Sequence, residues 1–165
     1  MLYCDAHLDF MGYWLLDKCI GYYSSVPNRV TEGQIFYFKA LCVLSAIHHV
    51  IDVLCGPPTS RILILTDSYN TIIIFNALRC LHHYNPIFIN AAEICIATGI
   101  HFRVLHILGE LNCVANAISQ NNFSLAWQYV PSPPFYPLNT AGGSQNMTSS
   151  TLHARQPPSQ ACIGC

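Results

Sequence analysis

Apolar positions along this chain recur with two periods, the two-residue period of strands and the three-to-four-residue period of helices. The front reads as an antiparallel meander. Leu2-Tyr3-Cys4 runs into Asp5, Met11-Gly12-Tyr13-Trp14-Leu15-Leu16 follows, and after a turn at Asp17-Lys18 comes Cys19-Ile20-Gly21-Tyr22-Tyr23. Residues 35–55 hold apolar side chains at helical spacing, which predicts a largely buried helix that Gly56-Pro57-Pro58 stops. Arg61–Thr66 is a short apolar strand, and Asp67-Ser68 stands where it caps a helix over Tyr69–His82. Asn85-Pro86 opens a further helix to about Thr98, with Gly99 as its stop. The run 100–107 alternates as a strand, and Gly109 starts a loop into a helix over Asn112–Ile118. The order β-β-β-α-β-α-α-β-α predicts an α/β fold, a mixed sheet covered by helices.

Composition splits the chain in two. Residues 1–130 carry the periodic pattern and form one domain. Residues 131–165 are rich in Pro, Ser, Thr, Gln and Gly; they cannot offset their ordering entropy by burial and are expected to be a disordered tail. Inside that tail Pro133-Pro134-Phe135-Tyr136 fits the PPxY pattern that WW domains bind as a polyproline helix, although four residues in a Pro-rich stretch match easily. Of 165 residues 52% are apolar and 9% charged, with a net charge of −1, so bulk electrostatics argue for neither nucleic acid nor an anionic membrane as partner. So apolar a chain points to a missing neighbour or missing flanks.

The chain has nine cysteines, an odd number, and no secretory signal precedes them. Most lie within apolar runs such as Leu41-Cys42-Val43-Leu44, the habit of reduced, buried thiols, and this implies an intracellular protein. Cys162-Ile163-Gly164-Cys165 has metal-like spacing without a second ligand pair. Residues 40–55 are interrupted by His48, His49 and Asp52 and fall short of a bilayer span, so no membrane is expected.

Asp5 and Asp67 each end an apolar strand, and side chains at neighbouring strand ends of an α/β sheet converge on one crevice. Two such carboxylates suit a divalent cation such as Mg²⁺, which takes hard oxygen ligands. The competing reading of Asp67 is an ordinary helix N-cap. His101 and His106 fall on opposite faces of their strand and read as packing or surface residues. His48-His49 and His82-His83 sit at helix positions, and Asp9 lies in a hairpin turn. The sequons at Asn122 and Asn146 carry no weight without secretion.

Three stretches together resemble ribonuclease H, and more narrowly the ribonuclease H domain that follows reverse transcriptase in retrotransposon polyproteins. They are Tyr3-Cys4-Asp5-Ala6, Ile64-Leu65-Thr66-Asp67-Ser68, and the run from Leu105 to Ser119 containing Gly109-Glu110-Leu111-Asn112 and Ala115-Asn116-Ala117-Ile118-Ser119. The family reads roughly D-A-S, T-D-S and G-E-x-N-x-x-A-D-x-L-S there; the last is the most specific. The resemblance covers about residues 2–120. It implies a ribonuclease H-like mixed five-stranded sheet flanked by helices, cleavage of RNA in RNA–DNA hybrids with Mg²⁺ or Mn²⁺, and a fragment whose reverse transcriptase neighbour lies outside the chain.

In that family four carboxylates hold two metal ions. The resemblance matches the first to Asp5 and the third to Asp67, which become the catalytic and metal-ligating candidates. The second is a Glu in a setting like F-Y-E-A-L, where this chain has Phe36-Tyr37-Phe38-Lys39-Ala40-Leu41 and therefore Lys39. The fourth is the Asp of A-D-x-L-S, replaced here by Asn116. Two carboxylates and one ammonium cannot neutralise two divalent ions, and Lys39 is expected to pair with Asp5 or Asp67 in place of metal. Neither Glu32 nor Glu110 falls at a lost position. The expectation is an inherited nuclease with its activity lost. The alternatives are a non-catalytic nucleic-acid-binding module, for which Lys18, Arg61, Arg79 and Arg103 should cluster, and a protein-interaction remnant.

Overall fold

A computed structural model describes residues 1–26, 34–54, 61–77, 82–130 and 133–138. Strands β1 (Leu2–Ala6), β2 (Phe10–Leu15) and β3 (Ile20–Ser25) form the expected meander. Helix α1 (Ile35–Leu54), strand β4 (Arg61–Thr66), helices α2 (Tyr69–Ala77) and α3 (Asn85–Thr98), strand β5 (His101–His106) and helix α4 (Cys113–Ser119) follow. Gly99 ends α3 in the left-handed region, with φ of +69°. Two elements lie beyond the sequence expectation, helix α5 (Phe123–Tyr129) and strand β6 (Phe135–Pro137). Asn122 starts α5, its side chain accepting from the Leu125 N–H at 3.1 Å.

The six strands form one mixed sheet in the order β5-β4-β1-β2-β3-β6. The meander is antiparallel, while β1·β4, β4·β5 and β3·β6 are parallel. Helices α1 to α3 cover one face over a core that includes Leu2, Cys4, Val43, Ile47, Ile64 and Val104. Cys4 and Cys42 are buried there as free thiols. Helices α4 and α5 cover the other face around Trp14, Ile118 and Ala126. A side chain at Gly12 would collide with Ile118, its Cβ 2.3 Å from Cγ2, so the bare backbone of β2 is what lets α4 approach. Helix α4 reaches β1, β2 and β3. On that face of β4 and β5, Arg61, His101, Arg103 and Leu105 are exposed.

The sheet gains a sixth strand, and that strand comes from the segment assigned to a disordered tail. Phe135 packs against Trp14, Phe123 and Trp127, burial that a count of Pro and Ser in the segment does not register. The Pro134 carbonyl accepts from the Gly21 N–H at 3.1 Å, and a Cβ on Gly21 would overlap the Phe135 ring. The PPxY match is thus part of an edge strand rather than a free polyproline helix. Residues 139–165, with Asn146 and the Cys162–Cys165 pair, lie outside the described residues, as do Glu32, Arg79 and residues 78–81 of the helix expected to reach His82, which itself begins a short 3₁₀ turn. Among the described residues no helix is long and apolar enough to cross a membrane.

The outer edge of β5 is closed by a side chain. The Asn76 amide of α2 donates to the Val104 carbonyl and accepts from the Val104 N–H at 3.1 Å, imitating a neighbouring strand at that residue.

Candidate active site at the carboxyl ends of the strands

Asp5 lies near the end of the buried strand β1 and is itself 5% exposed. Asp67 follows the last residue of the adjacent parallel strand β4, so the topology carries both carboxylates to one edge of the sheet. Between them stands Lys39, in the second turn of α1. Its Nζ is 2.8 Å from Asp5 Oδ1 and 2.6 Å from Asp67 Oδ1. The ammonium therefore bridges both carboxylates rather than pairing with one. Burial acts to lower the Lys39 pKa, but the Asp5 and Asp67 carboxylates outweigh it and hold the ammonium above its ordinary value.

The N-cap reading of Asp67 does not hold. Helix α2 is capped by Ser68, whose Oγ accepts from the Thr71 N–H at 3.3 Å, leaving Asp67 to Lys39. Ser68 itself is buried, and the Thr71 hydroxyl donates to its Oγ at 2.8 Å.

Helix α4 supplies the other wall. The Ser119 hydroxyl donates to Asp5 Oδ2 at 2.7 Å. Asn116 does not join the carboxylates; its Oδ1 accepts from the Gln120 side chain at 2.7 Å on the helix surface. Asn112, 2% exposed, donates from Nδ2 to the Cys4 carbonyl at 3.1 Å and ties the start of α4 to β1 next to Asp5. The short 3₁₀ turn Gly109–Leu111 passes beside Asp67, a Cβ at Gly109 lying 3.8 Å from Asp67 Oδ2. Glu110 in that turn is exposed. Ser119 and Asn112 belong to the Gly109–Ser119 motif, whose spacing is their signal in the sequence; their partners on β1 are not readable from it.

The remaining candidates lie elsewhere. His101 is exposed, and His106 stacks on Tyr69. His48 shares a hydrogen bond with Asn90 at 2.6 Å, and His49 Nδ1 shares one with the Tyr13 hydroxyl. A pocket of about 560 Å³ opens beside α3, lined by residues including His82, His83 and Glu93, but it contains no member of the carboxylate centre. The pocket and the carboxylate centre are separate places, and it is the centre that carries the candidate chemistry.

A divalent cation does not fit the centre as it stands. A cation is already present between Asp5 and Asp67 in the form of the Lys39 ammonium, and the Asn116 oxygen is engaged elsewhere. Among the described residues no three His, Cys, Asp or Glu side chains converge as metal ligands. Two carboxylates and one ammonium leave a single net negative charge, too little to compensate two ions carrying four positive charges.

No family model matches the chain, and no curated protein matches it in sequence. Solved structures match it in fold. The RNase H1 of the halophilic archaeon Halobacterium salinarum NRC-1 is 14% identical with a TM-score of 0.54, over 74% of this chain and 96% of that one. LC11-RNase H1, solved in complex with an RNA/DNA hybrid, is 13% identical with a TM-score of 0.56, over 76% and 96%. The N-terminal RNase H domain of rv2228c from Mycobacterium tuberculosis, solved as a fusion with maltose-binding protein, is 11% identical with a TM-score of 0.53, over 78% and 94%. The chain has a ribonuclease H-like fold.

Proposed function

We propose that this chain is a ribonuclease H-like domain of retroelement descent in which hydrolysis of RNA in RNA–DNA hybrids has been silenced at the carboxylate centre. One observation carries the reading, the Lys39 ammonium bridging Asp5 and Asp67. Hydrolysis in the family works by concentrating negative charge around two divalent ions that activate water and stabilise the leaving oxygen. A fixed ammonium takes up that charge and supplies neither role. The spacing of the Gly109–Ser119 motif supports retroelement descent, and the hybrid bound by LC11-RNase H1 supports a hybrid as ligand.

A second reading, retained nucleic-acid binding without cleavage, is favoured by Arg61 and Arg103. Both are exposed on the same open face of the sheet and have no carboxylate partner among the described residues. The test of the main reading is cleavage of an end-labelled RNA–DNA hybrid in Mg²⁺ or Mn²⁺ by the natural protein and by the double variant K39E/N116D. Cleavage by the double variant alone is the expected result. Cleavage by the natural protein would overturn the reading.

A further inference from the structure

Tyr69 opens α2 two residues after Asp67 and is 66% exposed. Its ring is nonetheless held in place. The imidazole of His106, the last residue of β5, stacks against it with centroids 4.2 Å apart and planes inclined by 16°. Thr66 and His106 are register partners across β4 and β5, so the stack is anchored at the sheet edge that carries Asp67. One face of the phenol ring is supported and the other is open to solvent. Leu108 and Leu111, 59% and 63% exposed, flank the Gly109 turn beside Asp67 and add apolar surface to the same rim.

We propose that the open face of Tyr69 is a stacking platform for an unpaired nucleobase at the rim of the Asp5–Lys39–Asp67 centre. A base inside a continuous duplex is already stacked above and below and has no face to offer. The ligand class is therefore a hybrid with a single-stranded end, whose terminal bases are free to leave their own stack. Stacking needs no charge, which suits a chain of net charge −1 with a residual negative charge at the centre itself. The pre-formed Tyr69–His106 pair lowers the ordering cost of receiving the base, since the ring does not have to be immobilised on binding. This inference rests on the hybrid-binding reading of the site.

The experiment compares the affinity of the full chain for a blunt RNA–DNA hybrid and for the same hybrid with a short single-stranded extension, by fluorescence anisotropy. The extension should tighten binding about tenfold for the natural protein. Y69F, which keeps the ring, should retain that preference, and Y69A should reduce the ratio of the two affinities to one. Binding of the blunt hybrid with no gain from the extension, or a gain that Y69A preserves, overturns the platform and leaves the hybrid reading standing. Binding of neither probe by the natural protein overturns the hybrid reading, and the platform with it.

Discussion

The Ser119 hydroxyl donates to Asp5 Oδ2 at 2.7 Å across 114 positions of sequence. That bond fixes the Asp5 carboxylate from the α4 side and leaves Oδ1 to the Lys39 ammonium from the α1 side. The centre is thus assembled from four elements: β1 and the end of β4 bring the carboxylates, α1 brings the cation, and α4 holds the first carboxylate in place. Its distances are set by how closely the two helices approach the sheet.

Removing the cation exposes what it compensates. K39A leaves two neighbouring carboxylates without their counter-charge, one of them buried. It should lower stability by roughly 2–4 kcal/mol, toward the low end for a broken buried pair because Asp67 is 31% exposed. Urea unfolding with an unchanged slope checks this. A loss below about 0.5 kcal/mol, the scale of a surface pair, would contradict it.

Gly12 tests how α4 reaches the sheet. G12A places a Cβ against Ile118 and 3.3 Å from the Ser119 backbone nitrogen, so the strain falls on the helix that holds Asp5. The substitution should cost about 1–3 kcal/mol, the range for overpacking a filled core. I118A removes the colliding Cγ2 and should make the G12A/I118A pair cost less than the two single changes summed. Additive costs in that pair would contradict the contact.

Much of this was legible in the sequence, for identifiable reasons. Strands β1 to β4 announce themselves as short apolar runs between turns and β5 by its alternation, and Gly99 marks the end of α3. Asp5 and Asp67 were readable because carboxylates at the ends of apolar runs are conspicuous. Strand β6 was not, because its burial comes from contacts with residues far back in the chain, Trp14 and Gly21, which the composition of the segment cannot reveal. The sharing of Lys39 between two carboxylates and the turning of Asn116 toward Gln120 likewise depend on side-chain geometry, not on residue type.

Asn76 closes the β5 edge with a side-chain imitation of a strand. N76A frees the Val104 N–H and carbonyl and should cost about 1–2 kcal/mol for two lost hydrogen bonds. The opened edge should also promote pairing between copies, seen as earlier elution on size exclusion at raised concentration. A variant that matches the natural protein in both readouts would contradict the capping role.

Alkaline stability follows from groups held above their ordinary values, Cys4, Tyr13 and Lys39 among them. Burial, then Cys42, raises the Cys4 thiol, and burial, then Tyr22, raises the Tyr13 hydroxyl; at Lys39 the carboxylates overcome burial. Each folded value exceeds the unfolded one, so each contribution is full below the unfolded pKa and is lost as pH rises through the folded one. The ordinary values are 9.0, 10.0 and 10.5, which places the decline above pH 9. Urea midpoints should hold steady between about pH 7 and 8.5 and then fall. A decline already complete by pH 8.5 would contradict these assignments.

The most direct measurement is Mn²⁺ binding followed by the loss of the free-ion electron paramagnetic signal. The natural protein should bind no Mn²⁺ at the carboxylate centre, because the Lys39 ammonium holds Asp5 and Asp67. K39A should gain a single site that D5N, introduced on the K39A background, abolishes. Binding of Mn²⁺ by the natural protein as tightly as by K39A, with the same dependence on Asp5, would contradict the account.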